Sequence, residues 1–159
     1  MTTYDSTPDT HDHINKVANY LDYVAYRLQM RGSEHDASKL EDPEKSGWDE
    51  ATPKLKELTY GSEEYRQVLR DIKPIVQHHY ANNRHHPEFW AAGIDGMSLL
   101  DVIEMLCDWK AASLRTAQTQ SFIDSLEYNK ERFGISDQLY HVLVNTAKEL
   151  GFDREAVTS

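Results

Sequence analysis

Hydrophobic residues recur at steps of three and four through most of the chain, which places them along one face of an α-helix. This spacing predicts a first long helix over residues 12–31, ended by Gly32. A short second helix is expected to carry the segment HDASKL, and a weaker helix around Trp48 is expected to break near Pro53. The N-terminal part of the chain is therefore predicted to be helical.

The same spacing continues toward the C-terminus. It predicts a helix over residues 62–79, which Pro74 should kink or divide, and then a loop over residues 81–89. Ser98 is predicted to cap a helix to about residue 115, with Asp101 completing a capping-box-like pair. No run of alternating β-branched residues indicates a strand, so the expected fold is an all-α, compact single-domain bundle of five to seven helices. The last two predicted helices cover residues 120–133 and 137–150 and end at Gly134 and Gly151.

Length and composition limit the classes of protein to be considered. The 159 residues are predicted to form one domain over residues 10–151, between flexible ends at 1–9 and 152–159. The net charge of −10, with scattered Lys and Arg, argues against binding to extended nucleic acid. No apolar stretch suits a membrane, the start resembles no secretory signal, and the one cysteine, Cys107, favours a reducing, cytoplasmic location.

Three carboxylates lie close together on the helix that begins at Ser98. At about 100° per residue, Asp101 and Asp108 differ by roughly 20° around the helix axis, and Glu104 lies beside them. The other residues of this helix are mostly apolar, so we expect it to be buried. Buried carboxylates need a cation, a proton or hydrogen-bond donors. Alternatively the acidic stripe faces water, and Asp101 serves only as a capping residue.

Eight histidines are many for a chain of this length. His35 and Asp36 are adjacent on a short predicted helix that also contains Lys39, and His13 lies at the start of the first helix. Such a His-Asp pair can straddle one metal ion, although a surface pair is the commoner explanation. His13 is placed to reach a pocket at the edge of a core. A surface position is the alternative, and His11 competes for the same role.

The segment HHYANNRHHPEFW, residues 78–90, concentrates side chains suited to metal or phosphate. It contains four histidines, two asparagines and one arginine. Imidazole is a common metal ligand, and arginine and asparagine donate hydrogen bonds to phosphate. A thiolate zinc site is disfavoured by the single cysteine. We expect at least two of these histidines to have a function, and their spacing leaves open which two.

In chain order, His13, His35-Asp36 and Asp108 form an H…HD…D pattern that resembles the HD-domain superfamily of metal-dependent phosphohydrolases. The segment HDASK resembles the HDxGK form of many members, and MLCDWKAAS resembles the helix that carries their last aspartate. The stretch VQHHYANNRHHPE is similar to the cyclic-dinucleotide phosphodiesterase branch over its first two histidines and then departs from it. Within the superfamily, the chain most resembles a small uncharacterised group common in bacteriophages, which shares the HDxSK and HHPE stretches.

The resemblance implies a helical bundle of the HD type that binds one or two divalent ions, with Mn, Fe, Co, Ni, Mg or Zn as candidates. The implied ligands of the first ion are His13, His35, Asp36 and Asp108. A second ion would use His79 and His86, or their neighbours His78 and His85, with Asp101 as a further candidate ligand.

The resemblance also implies roles in catalysis and substrate binding. Asp36 and Lys39 are the implied catalytic residues. Nucleotidase members often carry a proton-donating glutamate where this chain has Lys39, so Glu41 or Glu44 would have to act instead. The implied substrate-binding residues are Lys39, Asn83, Arg84, His85 and Glu104.

The expected function is hydrolysis of a small phosphorylated substrate, a nucleotide or cyclic (oligo)nucleotide, by a metal-activated water. One alternative is a non-catalytic acidic helical protein that sequesters a nucleotide or binds a protein partner. Another is an oxygenase with two irons on the same fold. The apolar stripe of the last predicted helices, which includes Leu143 and Ala147, could complete the core or form a homo-oligomer.

Overall fold

The computed structural model describes residues 4–59, 61–114 and 121–153, and the regular elements in these ranges are all helical. The predicted all-α class is confirmed, with seven α-helices in the described part of the chain. None of these helices is both long enough and apolar enough to span a bilayer. The helices are α1 (Thr7–Glu34), α2 (Glu44–Lys56), α3 (Glu63–Asp71), α4 (Lys73–Asn82), α5 (Leu99–Ser113), α6 (Phe122–Phe133) and α7 (Asp137–Glu149), with short 3-10 helices at Ala37–Leu40, Pro87–Phe89 and Gly93–Gly96.

Backbone contacts divide the chain into two units, Met1–His35 and Asp36–Ser159. The first unit contains α1, and the second contains the other helices. Residues 1–3 and 154–159 of the predicted flexible ends lie outside the described residues, as do the predicted helix ends at 115 and 120. Residues 7–9 are already helical, because Pro8 suits the first turn and the charge of Asp9 favours the N-terminal end of the helix dipole.

Two predicted helix breaks are wrong. α1 continues through Gly32 to Glu34, and α2 contains Pro53 instead of ending before it. Gly32 does not adopt the left-handed backbone by which glycine ends helices. Pro53 lies in the last turn of α2, where few residues follow it and its missing N–H removes one backbone hydrogen bond.

Pro74 divides the predicted helix over residues 62–79 into α3 and α4. Ser62 caps α3 by accepting a hydrogen bond from the backbone N–H of Tyr65. Pro74 lies in the first turn of α4, where an N–H would have no partner within the helix. α4 extends to Asn82, so the loop predicted over residues 81–89 begins two residues later than predicted, and its end forms the 3-10 helix Pro87–Phe89.

The hydrophobic core of the second unit lies between α5, α6 and α7. Ser98 and Asp101 form the predicted capping box at the start of α5, and Gly134, with a φ of 64°, ends α6. One face of α5 enters the core, which leaves its acidic stripe on another face. The last predicted stripe contributes two residues to this core. The buried core residues are Val102, Met105, Leu106, Trp109, Phe122, Leu126, Ile135, Leu143, Val144 and Ala147.

Candidate metal centre

Asp36 begins the second unit in an uncommon backbone conformation. Its φ of 56° and ψ of 17° are left-handed, and among the described residues it alone combines a positive φ with a side chain. Aspartate tolerates this region because its short polar side chain can bond locally. Lys39, one turn further along the 3-10 helix Ala37–Leu40, places its Nζ 2.6 Å from Asp36 Oδ2. The two residues predicted to be catalytic are therefore in direct contact.

Two histidines approach the other carboxylate oxygen of Asp36, and a third lies beside them. His79 Nε2, on α4, lies 3.3 Å from Asp36 Oδ1, and His85 Nε2 lies 3.5 Å from the same atom. His86 Nε2 lies 2.9 Å from His79 Nε2. Each of the four side chains offers one ligand atom, and these atoms lie within 4.8 Å of one another. This group, called here the His-Asp cluster, could hold a metal ion.

Two distances in the His-Asp cluster, 2.9 Å between His79 and His86 and 3.3 Å between His79 and Asp36, match those between ligands of one ion. Imidazole nitrogens lie about 2.0–2.1 Å from bound zinc, so two of them are roughly 2.9 Å apart at right angles and roughly 3.3 Å apart at tetrahedral angles. The 2.9 Å between the Nε2 atoms of His79 and His86 requires a proton or a cation between them, because two facing lone pairs repel. Three imidazoles and one carboxylate suit a divalent transition metal.

α5 places two carboxylates of its acidic stripe beside the His-Asp cluster. A carboxylate oxygen of Asp108 lies within 4.8 Å of one of Asp36. Glu104 Oε1 lies 3.2 Å from Nδ1 of His85, and the Glu104 side chain is only 12% exposed. Glu104 is therefore partly buried with a partner, as expected of carboxylates on a mostly apolar helix.

Burial keeps two of the imidazoles neutral, which is the form that binds metals. The pKa of His79 is lowered by burial and then by the neighbouring charge of Lys39, against the opposing effects of Asp36 and Glu44. Burial, with the neighbouring His85 and His79, lowers the pKa of His86 to about 3. At neutral pH both side chains can offer a nitrogen lone pair.

Glu44, at the start of α2, is fully buried behind His79. Its Oε2 lies 2.8 Å from His79 Nδ1, and its Oε1 lies 2.8 Å from His78 Nδ1. Burial raises the pKa of Glu44, but hydrogen bonds with His78, His79 and Ser38 outweigh it and hold the pKa below its usual value. Glu44 is therefore ionised at neutral pH and accepts hydrogen bonds on both oxygens.

Two residues predicted to act in the site instead lie behind it. His78 is a predicted ligand of a second ion, but its Nδ1 contacts Glu44 Oε1 and its side chain is 42% exposed. Asn83, predicted to bind substrate, is buried and donates to Ser38 Oγ at 2.7 Å and to the backbone oxygen of His79 at 2.8 Å. These contacts connect the 3-10 helix Ala37–Leu40 with α4.

Asp101 and Arg84 contact each other. Arg84 donates from Nε to Asp101 Oδ1 at 2.7 Å and from a terminal nitrogen to Asp101 Oδ2 at 3.2 Å. The Oδ2 atom also accepts from the backbone and hydroxyl of Ser98 in the capping box. Both oxygens of Asp101 therefore accept hydrogen bonds in this structure. The role of Asp101 as a metal ligand stays a prediction, and so does the role of Arg84 in substrate binding.

His13 and His35 belong to the first unit. His13 lies within α1, and His35 follows the last residue of α1 and directly precedes Asp36 in the chain. Their roles as ligands of the first ion stay predictions from the sequence pattern.

A cavity of about 330 Å³ lies beside the His-Asp cluster. Lys39, His79, His86 and Asp108 line part of it, and two arginines, Arg66 and Arg132, contribute further positive charge. The remaining lining is largely aromatic and includes Trp48, Tyr65, Tyr80, Trp109, Tyr128 and Phe133. Cations and aromatic surfaces next to potential metal ligands suit an anionic molecule that also carries a ring.

Two features of the site could not be predicted from the sequence patterns. Consecutive residues of a helix point about 100° apart, and the structure brings only His79 of the pair His78 and His79 into the His-Asp cluster, but nothing in their spacing shows which of the two does so. Glu44 lies in the charged stretch EDPEK, where no apolar spacing marks it as buried. His85 was predicted to bind substrate or, as an alternative to its neighbour His86, a second ion, and the structure places it within the His-Asp cluster.

Comparison with known proteins gives one match. A family model, described as a family of unknown function (DUF5662), matches residues 2–149 of the chain. No curated protein and no solved structure matches it significantly. The matched range contains all four residues of the His-Asp cluster and the residues that line the cavity. The chain belongs to the DUF5662 family.

Proposed function

We propose that this protein is a metal-dependent phosphohydrolase that acts on a small nucleotide. The observation that carries the proposal is the position of the His-Asp cluster beside a cavity that contains Lys39 and two arginines. Hydrolysis of a phosphate ester needs an activated water and positive charge around the phosphoryl oxygens. Metal ligands and cationic side chains at one cavity are suited to supply both.

Asp36, His79, His85 and His86 would hold a divalent ion. Asp108 also lies near Asp36, so the two oxygens of Asp36 could serve two ions. The sequence pattern adds His13 and His35 as predicted ligands. When bound, a divalent ion supplies the activation of water and stabilises charge on the phosphoryl oxygens.

Lys39 is the side chain we expect to bind the reacting phosphate. In this structure its ammonium pairs with Asp36 at 2.6 Å and lies over the ring of Trp48, 5.1 Å from the centroid. A cation on Asp36 would weaken this pair, because it neutralises the carboxylate that attracts Lys39. Lys39 also lines the cavity, so its ammonium would then be available to a phosphate oxygen.

The cavity favours a mononucleotide over a cyclic oligonucleotide. Its volume of about 330 Å³ is near the lower end of the range of about 300–1,000 Å³ typical of small-molecule sites. Trp48, Tyr65 and Tyr128 offer aromatic surfaces on which a base could stack. Arg66 and Arg132 offer charge to phosphate groups that are not cleaved.

The first test is elemental analysis of the purified protein beside the variants His79→Ala, His35→Ala and His141→Ala. His141 is an exposed histidine of α7 and serves as the matched control. We expect about one or two equivalents of a transition metal in the wild type and the control, and less in the other two variants. Absence of metal from the wild type after incubation with Mn²⁺ or Fe²⁺ would refute the metal site.

The reaction is tested by phosphate release from nucleoside mono-, di- and triphosphates and from cyclic nucleotides. Turnover should require added metal and should be lost in Asp36→Asn and His79→Ala. Hydrolysis that persists without metal would contradict the proposal. Tight binding of a nucleotide that is recovered unchanged would favour a non-catalytic binder, and oxygen consumption by iron-loaded protein would favour an oxygenase.

A further inference from the structure

We propose that Glu44 is a positioning residue for the metal centre. It holds His79 in the tautomer that is protonated on Nδ1, and it thereby presents the Nε2 lone pair to the His-Asp cluster. The inference rests on the metal site of the proposed function, but it does not depend on which reaction the site performs.

The hydrogen bond between the two side chains determines the tautomer. A neutral imidazole has one nitrogen that carries a proton and one that carries a lone pair. His79 Nδ1 lies 2.8 Å from Glu44 Oε2, and an ionised carboxylate only accepts, so Nδ1 must carry the proton. The lone pair then lies on Nε2, the atom 3.3 Å from Asp36 Oδ1 and 2.9 Å from His86 Nε2.

Asn83 also approaches the same nitrogen, but it cannot reverse this assignment. Its Nδ2 lies 2.9 Å from His79 Nδ1. That amide has two hydrogens, and Ser38 Oγ at 2.7 Å and the backbone oxygen of His79 at 2.8 Å can accept both of them. Asn83 therefore does not need Nδ1 as an acceptor, whereas the contact with the Glu44 carboxylate requires a proton on Nδ1, so Glu44 decides the tautomer.

The burial of Glu44 agrees with a positioning role. A fully buried carboxylate costs free energy unless donors satisfy its oxygens. Here the donors are neighbouring imidazoles, His78 on Oε1 and His79 on Oε2. A carboxylate behind a ligating histidine fixes the ring orientation and raises the basicity of the ligand nitrogen.

The tautomer can be measured in the metal-free wild-type protein by ¹⁵N NMR of the histidine side chains. We expect His79 to be protonated on Nδ1. In Glu44→Gln this preference should be lost, because glutamine has one acceptor oxygen for two imidazoles. Protonation of wild-type His79 on Nε2 would overturn the inference, and this measurement needs no variant that might misfold.

Metal affinity supplies the second readout, with Co²⁺ as the probe and isothermal titration calorimetry as the method. Glu44→Gln should bind Co²⁺ about 10–100-fold more weakly than the wild type. Glu50→Gln, the same change at an exposed position of α2, should bind as the wild type does. Equal affinity in all three proteins would overturn the inference. If the wild type binds Co²⁺ more tightly than Glu44→Gln and yet hydrolyses no nucleotide, that result would refute the proposed reaction and would still support the role of Glu44.

Discussion

Asp36 combines an unusual backbone conformation with a charged side chain at the candidate metal centre. Its backbone is left-handed, with a φ of 56°, and its carboxylate lies between Lys39 and the histidines of the cluster. Aspartate and asparagine are the residues with side chains that adopt this backbone most readily, and only aspartate adds a negative charge. Conformation and charge can therefore be tested separately.

Asp36→Asn is expected to remove metal binding and keep the backbone conformation. Asp36→Ala should also remove metal binding and, relative to Asp36→Asn, lower the free energy of unfolding by about 1 kcal/mol, because alanine disfavours the left-handed region. Urea unfolding of the metal-free variants measures the difference in stability, and elemental analysis measures the metal. Equal stability of the two variants would contradict the conformational argument, and metal retained by Asp36→Asn would contradict the assignment of the ligand.

Two glycines should respond in opposite directions to replacement by alanine. A methyl group would meet no atom within 4 Å at either Gly134 or Gly32, so only backbone conformation differs between them. Gly134 has a φ of 64°, and Gly134→Ala should lower the free energy of unfolding by about 1 kcal/mol. Gly32 lies within α1, and Gly32→Ala should raise helix stability by about 0.5–1 kcal/mol. Thermal unfolding followed by circular dichroism compares them, and a loss of helix stability in Gly32→Ala would contradict the prediction.

Along α5, three carboxylates on one stripe have three different surroundings. Asp101 is bound by Arg84 and by the capping box, and Glu104 contacts His85. Asp108 lies near Asp36 and lines the cavity. Another face of the same helix is apolar and packs into the hydrophobic core. The helix thus connects the hydrophobic core with the candidate metal centre.

Truncation of the core face of α5 should destabilise the second unit strongly. Leu106 is 1% exposed, and Leu106→Ala should lower the free energy of unfolding by about 2–5 kcal/mol, because it leaves a cavity between packed helices. Leu99, on the same helix, is 68% exposed, and Leu99→Ala should change the free energy of unfolding by less than about 0.5 kcal/mol. Urea denaturation of both variants provides the comparison. Similar effects at the two positions would contradict the assigned core.

Considered as a whole, the second unit has its potential metal ligands on separate elements. Asp36 precedes a 3-10 helix, His79 lies on α4, and His85 and His86 follow α4 in a turn. An ion held by these residues would join the elements in the folded protein, whereas the unfolded chain would not keep the ligands together. Metal binding should therefore be coupled to stability.

Addition of Co²⁺ to the metal-free protein is expected to raise the melting temperature, and EDTA should reverse the change. At a free concentration of about 100 times Kd, one bound ion adds about 2.7 kcal/mol to the free energy of unfolding. Differential scanning calorimetry measures the shift. His79→Ala should abolish most of it and His141→Ala should not, and an unchanged shift in His79→Ala would contradict the ligand assignment.

Features that depend on nearby residues were predictable from the sequence. The helices, the division at Pro74, the capping box of Ser98 and Asp101, and the grouping of Asp101, Glu104 and Asp108 follow from spacings of a few positions. Such spacings set which side chains share a helix face, because helical geometry is the same in every protein. Local breaks were less predictable, since Gly32 and Pro53 are tolerated within helices that continue past them.

The composition of the His-Asp cluster depended on contacts between distant parts of the chain. Helix α2 packs against α4, which brings Glu44 to His79 across 35 positions, so that His79 faces Asp36 while His78 does not enter the cluster. The sequence identified the histidine-rich segment as chemically unusual but left its members equivalent, because each imidazole has the same intrinsic affinity for metal. Packing distinguishes them: buried Glu44 contacts both His78 and His79, but of these two only His79 also places its other ring nitrogen beside Asp36.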